Sequence, residues 1–229
     1  AANRVGKTYS AAFEVACHVT GMYPDWWQGE RFSYAPKIWC LGVTGEQMRD
    51  VIQDALFGEY IGGEMSGAMV PAHLISGVTP TVGVPRLGKD VRIIHPKGQS
   101  VVSFKSYSQG QHVLMGSTVD FAWIDEEPQD RTIYPQLLAR TATGNQGRGG
   151  HVLLTFTPEN GMTDLVTQFM EDIKSGQWLG NVTWDDAPHL DPDTKMQLLD
   201  AMPDYQREMR SKGIPVLGEG MVFPIAEDA

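Results

Sequence analysis

The sequence predicts an α/β fold, with a mainly parallel central sheet flanked by helices, on three observations. Apolar, strand-like runs alternate with amphipathic helical runs along the chain. Its first residues hold a Gly6-Lys7-Thr8 loop that passes straight into a helical pattern. Farther on, the apolar run Val119–Ile124 delivers Asp125, Glu126 and Glu127 at its C-terminal end, where open α/β sheets bind ligands.

The elements follow in order. Thr8–Thr20 places Ala11, Ala12, Val15, Ala16 and Val19 at helical spacing, and Gly21 offers a cap. Pro24–Pro36 is aromatic and irregular, and Lys37–Thr44 reads as a buried strand. Glu46–Phe57 is an amphipathic helix with Met48, Val51, Ile52, Ala55 and Leu56 on its apolar side. Gly58–Gly88, rich in Gly and Pro, reads as a surface excursion with one short helix near Ala72–Ser76. Val91–His95 and Ser100–Lys105 flank Pro96-Lys97-Gly98, a hairpin signal. Asp130–Arg140 is a helix, Thr141–Gly150 a Gly-rich loop, and His151–Phe156 another buried strand. Beyond it come a helix over Met162–Lys174, a strand over Gln177–Trp184, and two short helices over Asp193–Met202 and Pro203–Lys212.

Composition sets outer bounds. The 229 residues, 41% hydrophobic and 20% charged, suit one large domain that buries a substantial core. A net charge of −10 argues against this segment being a high-affinity DNA-binding module by itself, while leaving room for a locally basic face. Cys17 and Cys40 are too few for a disulfide scaffold and read as buried free thiols. No Cys/His spacing points to zinc, and no apolar run is long enough to cross a bilayer, so no membrane partner is expected.

Three motifs carry chemistry. Residues 1–8 fit the phosphate-loop pattern G-x-x-x-x-G-K-[ST], with Ala1 in place of the first Gly. In such a loop Asn3, Arg4, Val5, Gly6, Lys7 and Thr8 bind nucleotide: backbone N–H groups wrap the phosphates, Lys7 reaches the β/γ-phosphates and Thr8 holds Mg²⁺. A strand normally precedes the loop, so one is expected ahead of Ala1. Asp125 is the second metal-binding residue, and Glu126 the general base that polarises the attacking water, with Glu127 as the alternative. The third motif is Leu153-Leu154-Thr155-Phe156-Thr157-Pro158, a strand expected between the phosphate-loop strand and the Asp125 strand. Its tip would sense the γ-phosphate through Thr157, or else through Thr155. Phosphoryl transfer also gains from an arginine at the developing charge. Arg4 is placed to act in cis, while Arg140 and Arg148 are candidates to act on a neighbour's site in a ring. Together these make a P-loop NTPase of the additional-strand, RecA-like type, using ATP and Mg²⁺.

With these motifs placed, the chain resembles the ATPase domain of the large terminase subunit of tailed bacteriophages or a related prophage. The matching residues are Asn3–Thr8, Trp123–Pro128 and Leu154–Pro158. Trp184–Leu190 looks like the family's acidic-Pro segment, and Gly218–Pro224 like its lead into a nuclease domain. The resemblance implies an ATPase domain over residues 1–212 and a linker over 213–229, toward a metal-dependent nuclease domain beyond. It implies a motor that drives duplex DNA into a procapsid as a homo-oligomeric ring on the portal protein, with a small terminase subunit choosing the DNA. The setting would be the bacterial host cytoplasm and, transiently, the procapsid portal. The competing readings are a helicase-like nucleic-acid translocase and a nucleotide-binding structural subunit without turnover.

Overall fold

The computed structural model describes residues 1–107, 111–144 and 146–215; residues 216–229, including the Gly218–Pro224 stretch and most of the expected linker, lie outside them. The chain forms two units, Thr8–Thr155 and a second made of Ala1–Lys7 with the chain from Phe156 on.

The Thr8–Thr155 unit takes up α1 (Lys7–Thr20) from its second residue, then β1 (Lys37–Gly42), α2 (Gly45–Gln47), α3 (Asp54–Phe57), β2 (Tyr60–Ile61), β3 (Glu64–Met65), β4 (Ile75–Pro80), β5 (Gly88–His95), β6 (Gly98–Ser106), β7 (Phe121–Asp125), α4 (Ile133–Thr141) and β8 (His151–Thr155). Six strands build one sheet in the order β4-β5-β6-β1-β7-β8. Pairs β6–β1, β1–β7 and β7–β8 are parallel, while β4–β5 and β5–β6 are antiparallel.

The central strands explain the apolar runs. Ile38 and Cys40 of β1, with Phe121 and Trp123 of β7, face a core that includes Ala11, Val15 and Val19 of α1. The alternate residues Trp39, Leu41, Ala122 and Ile124 face the opposite core with Ile133 and Leu137 of α4. A strand covered on both faces has no polar positions to alternate with. Both cysteines are buried and free.

The strands are fastened at their N-terminal edge by Asp120, which is fully buried. Its carboxylate accepts the Lys37 N–H at 2.8 Å and the Tyr34 hydroxyl at 2.9 Å. Gly150 leads into β8 so close to the Asp120 carbonyl that a Cβ there would lie 2.3 Å from the oxygen.

Three elements differ from expectation. The helix expected over Glu46–Phe57 has a π-helical centre, Met48–Gln53, between α2 and α3. There the buried Gln53 bonds the Arg86 carbonyl at 2.9 Å and the Gly88 N–H at 2.8 Å, which draws it to the following chain. The expected excursion Gly58–Gly88 contains β4, which joins the main sheet. As an edge strand with Gly77 inside and Pro80 at its end, β4 lacks the β-branched alternation that marks strands in sequence. The expected strand over Gln177–Trp184 does not form. Trp178 is 83% exposed, and its ring lies over Gly180, so the apolar residues there do not define a buried face.

The second unit contains α5 (Asp164–Met170), α6 (Pro192–Asp200) and α7 (Asp204–Lys212). Each begins or ends on a residue suited to it. The Thr163 hydroxyl accepts the Val166 N–H, Asp191 caps α6, and Gly213 closes α7 in a left-handed turn. Among the described residues no helix is long and apolar enough to cross a membrane.

Candidate functional site

Within the Thr8–Thr155 unit, the chemistry gathers at the C-terminal ends of β7 and β8. Asp125 is the last residue of β7 and is 2% exposed. The Thr8 hydroxyl lies 3.2 and 3.3 Å from its two carboxylate oxygens. The Thr155 hydroxyl also donates to this carboxylate, at 2.8 Å, and accepts the Trp123 indole N–H at 2.7 Å. This relay runs from indole to hydroxyl to carboxylate, so each proton points toward the negative charge and fixes its orientation. Burial, and the nearby Asp125 charge, push the Cys40 thiol well above its ordinary range and keep it neutral.

The backbone turns sharply at the next residue. Glu126 has φ +68°, a left-handed conformation uncommon for a side chain other than Gly, Asn or Asp. Its N–H donates to the Thr155 carbonyl at 2.9 Å. The Tyr107 hydroxyl lies 3.1 Å from the Glu126 carbonyl and 3.2 Å from that of Asp125. Burial first, then the charges of Glu126, Asp125 and Glu127, raise the Tyr107 phenol above its usual range, so it remains a donor. Glu126 and Glu127 are both half-buried at this bend.

The phosphate-loop residues through Lys7 belong to the second unit. The Lys7 ammonium donates to the Thr157 hydroxyl at 2.8 Å and to the Ala2 carbonyl at 2.7 Å. Thr157 bonds the Asn3 side-chain oxygen, and the Asn3 amide reaches Glu159 at 3.3 Å. Glu159 also lies 3.6 Å from the Arg210 guanidinium. Arg4 is exposed, with φ +59°, and Gly6 has φ +88°. Val5 is half-buried between them. The loop thus enters the left-handed region twice before α1 begins. The start of a helix leaves backbone N–H groups without intrahelical acceptors, a setting that favours anions.

The two threonines considered for the sensor role have different partners: Thr155 holds Asp125, while Thr157 holds Lys7. Arg140 and Arg148 are not brought to Asp125. The Arg140 carbonyl accepts the Val119 N–H, ahead of β7, and its buried Nε has no hydrogen-bond partner among the described residues. Arg148 is exposed beside the start of β8 and lines a cavity of about 170 Å³ with Arg31, Tyr34 and His151. Both arginines therefore lie toward the sheet edge opposite Asp125.

Thr8 and Asp125 offer hard oxygen ligands at short range, the donor type that suits Mg²⁺, which commonly takes one or two protein oxygens and completes its shell with phosphate and water. Among the described residues no cluster of three His, Cys, Asp or Glu could hold a metal. Sequence reasoning did not single out Tyr107 beside Asp125 in the Thr8–Thr155 unit, nor Glu159, Trp184, His189 and Arg210 around the loop residues of the second unit, because each makes its contact with residues outside its own local pattern. The only advance sign was the aromatic–acidic–Pro composition of Trp184–Leu190.

Comparison with known proteins sets this geometry in context. A family model described as terminase large subunit, T4likevirus-type, N-terminal, matches residues 1–227. The terminase large subunit of Salmonella phage P22 is 33% identical over 247 residues, covering 100% of this chain and 48% of that protein. That of Enterobacteria phage LP7 is 32% identical over 137 residues, covering 60% of this chain and 28% of that protein. The chain spans about half the length of the first relative and less of the second. A large terminase from a thermophilic bacteriophage aligns with TM-score 0.66 at 15% identity, over 99% of this chain and 50% of that one; the same protein has been solved with ADP and with ATP-gamma-S. The large terminase ATPase domain of Thermus phage P74-26 aligns with TM-score 0.52 at 15% identity, over 94% of this chain and 86% of that one. The likeness is one of fold: a mostly parallel central sheet flanked by helices, of the P-loop type.

Proposed function

This chain belongs to the terminase large-subunit family, matching its N-terminal region, and from that premise we propose that it is the ATP-hydrolysing motor domain of a viral DNA-packaging terminase. The observation that carries the reading is the contact of the Thr8 hydroxyl with the Asp125 carboxylate, which joins two motifs remote in sequence. Thr8 and Asp125 would hold Mg²⁺, whose chemistry is to neutralise charge on the β- and γ-phosphates. Asn3–Thr8 would bind the nucleotide, with Lys7 on the β/γ-phosphates. Glu126 would orient and deprotonate the attacking water, and Arg4 would stabilise the developing charge in cis.

Thr157 would report the state of the γ-phosphate through Lys7. Arg140 and Arg148, remote from their own Asp125, would act on a neighbouring subunit. The working assembly would be a homo-oligomeric ring on the portal protein acting on duplex DNA, with a small terminase subunit choosing that DNA, in the bacterial host cytoplasm and transiently at the procapsid portal. The ATPase domain would span residues 1–212, with 213–229 as the linker.

Substitution of Glu126 and Glu127 tests this. Glu126→Gln should retain nucleotide binding and lose at least about a hundredfold in turnover, the scale of a positioned base, whereas Glu127→Gln should keep most of it. Full turnover in both variants refutes the assignment of the base. Absence of hydrolysis by the native chain with DNA and its partners present favours a nucleotide-binding structural subunit.

A further inference from the structure

Two side chains outside the phosphate-loop motif grip its backbone. The Trp184 indole N–H donates to the Asn3 carbonyl at 2.8 Å. The His189 Nε2 lies 2.8 Å from the Arg4 carbonyl, which can only accept, so the ring nitrogen carries the proton. The two carbonyls are consecutive. Just before them, the Ala2 N–H bonds the Val182 carbonyl and the Asn3 N–H bonds the Arg210 carbonyl, each at 2.8 Å.

The donors sit on a stiff segment. Thr183 and Asp186 form a reciprocal capping box around the 3₁₀ turn Trp184–Asp186. Trp184 is 4% exposed. The Leu190 N–H closes onto the Ala187 carbonyl at 3.1 Å, and Asp191 caps α6 immediately afterwards, accepting the Thr194 N–H at 2.9 Å. His189 is therefore held between two capped turns although it is itself exposed.

Peptide geometry gives these bonds a consequence. In a trans peptide group, the C=O of one residue and the N–H of the next point in opposite directions. Fixing the Asn3 carbonyl on Trp184 aims the Arg4 N–H the other way, and fixing the Arg4 carbonyl on His189 does the same for the Val5 N–H. Arg4 lies between those N–H groups with φ +59°, the handedness that can curl successive N–H groups around one anion.

We propose that Trp184 and His189 are positioning residues for phosphate binding: by capturing the Asn3 and Arg4 carbonyls, they preset the Arg4 and Val5 N–H groups to receive a nucleotide phosphate. The inference rests on the reading of Asn3–Thr8 as the nucleotide-binding loop. It adds that the loop is shaped by a segment nearly the whole chain away, beside the bond that Lys7 makes to the Ala2 carbonyl. Either the neutral Nε2–H tautomer or the protonated ring of His189 serves as donor, so the effect requires no charge on the imidazole.

The test is equilibrium binding of ATP-gamma-S with Mg²⁺ to the full chain and to His189→Ala, His189→Gln, Trp184→Phe and Lys7→Ala, with ATP kinetics and nucleotide-free thermal unfolding alongside. His189→Ala and Trp184→Phe should each weaken binding about five- to tenfold, the scale of one lost hydrogen bond. KM should rise while kcat holds, because the bonds serve ground and transition states alike. His189→Gln, which keeps an N–H donor, should recover part of the affinity. His189→Ala should melt like the parent, since the side chain is exposed. Native affinity in His189→Ala together with loss of binding in Lys7→Ala overturns the positioning role and leaves the nucleotide reading standing. Native affinity in Lys7→Ala overturns the nucleotide reading, and the positioning role with it.

Discussion

The Lys7 ammonium rests 2.8 Å from the Thr157 hydroxyl, which in turn bonds the Asn3 side chain. On the proposed reading, in which Lys7 engages phosphate, this bond would couple the Thr157 hydroxyl to the phosphate's state. Thr157→Val removes the hydroxyl and nearly preserves volume at a 3%-exposed position. ATPase turnover is expected to fall about tenfold with less than about threefold change in nucleotide affinity, as for an interaction used in turnover more than in binding. Steady-state kinetics beside equilibrium nucleotide titration check this; loss confined to affinity contradicts it.

Thr155 acts on a different group. It transmits the Trp123 indole dipole to Asp125, so Thr155→Val and Trp123→Phe both leave that carboxylate less well oriented. The Mg²⁺ concentration for half-maximal activity should rise about tenfold, as is typical when partners behind a metal ligand are removed. Saturating Mg²⁺ should restore most of the rate. A titration of activity against Mg²⁺ reads the shift, and identical curves for variant and parent dispose of the relay's role.

The Glu126 backbone holds a conformation better suited to glycine. Glu126→Gly should therefore raise stability by about 0.5–1 kcal/mol as the left-handed strain is relieved, while removing the carboxylate and with it turnover. Urea unfolding of variant and parent measures the first effect and an ATPase assay the second. A destabilised variant means that the Glu126 side chain contributes more to the fold than its backbone strain costs.

His95 gives stability a pH dependence near neutrality. It is 5% exposed, its Nδ1 accepts the Lys97 N–H at 3.0 Å, and its buried Nε2 has no hydrogen-bond partner among the described residues. Burial, then the Lys97 charge, lowers its pKa below the ordinary 6.5. A depressed value means the unfolded chain binds the proton more readily, so stability is full above 6.5 and declines as pH falls toward the folded-state value. Unfolding free energy should therefore drop between about pH 7.5 and about pH 5.5, and His95→Gln should flatten the profile over that range. Asp130, Asp186 and Asp191, held low by bonds to their capping partners, act only below their ordinary 3.8 and leave this window clear. Equal slopes for variant and parent exclude His95 as the source.

Legibility followed burial and locality. Ala11, Val15 and Val19 announced α1, and the two-sided cover of Phe121–Ile124 announced β7, because each pattern repeats within a few residues. Motif spacing singled out Thr8 and Asp125, which meet in the structure. The division of labour between Thr155 and Thr157 was not readable, since both are strand-end hydroxyls whose partners lie far away in sequence. Edge strand β4 hid behind Gly77 and Pro80. The apolar residues around Trp178 imitated a strand without a second face to bury. Tyr107, Trp184 and His189 are ordinary residues in sequence and acquire meaning only from the carbonyls they meet.

One buried aspartate precedes β7 and another ends it, and their partners differ. Asp120 ties β1 to its neighbour through Lys37 and Tyr34, whereas Asp125 faces Thr8. A screen that scores only surviving activity would rank their alanine variants together. Scoring soluble yield alongside would separate them: Asp120→Ala should deplete the folded pool, and Asp125→Ala should leave it full but idle. An acidic residue's place at the entry or the exit of a parallel strand can thus forecast which of the two defects a mutation produces.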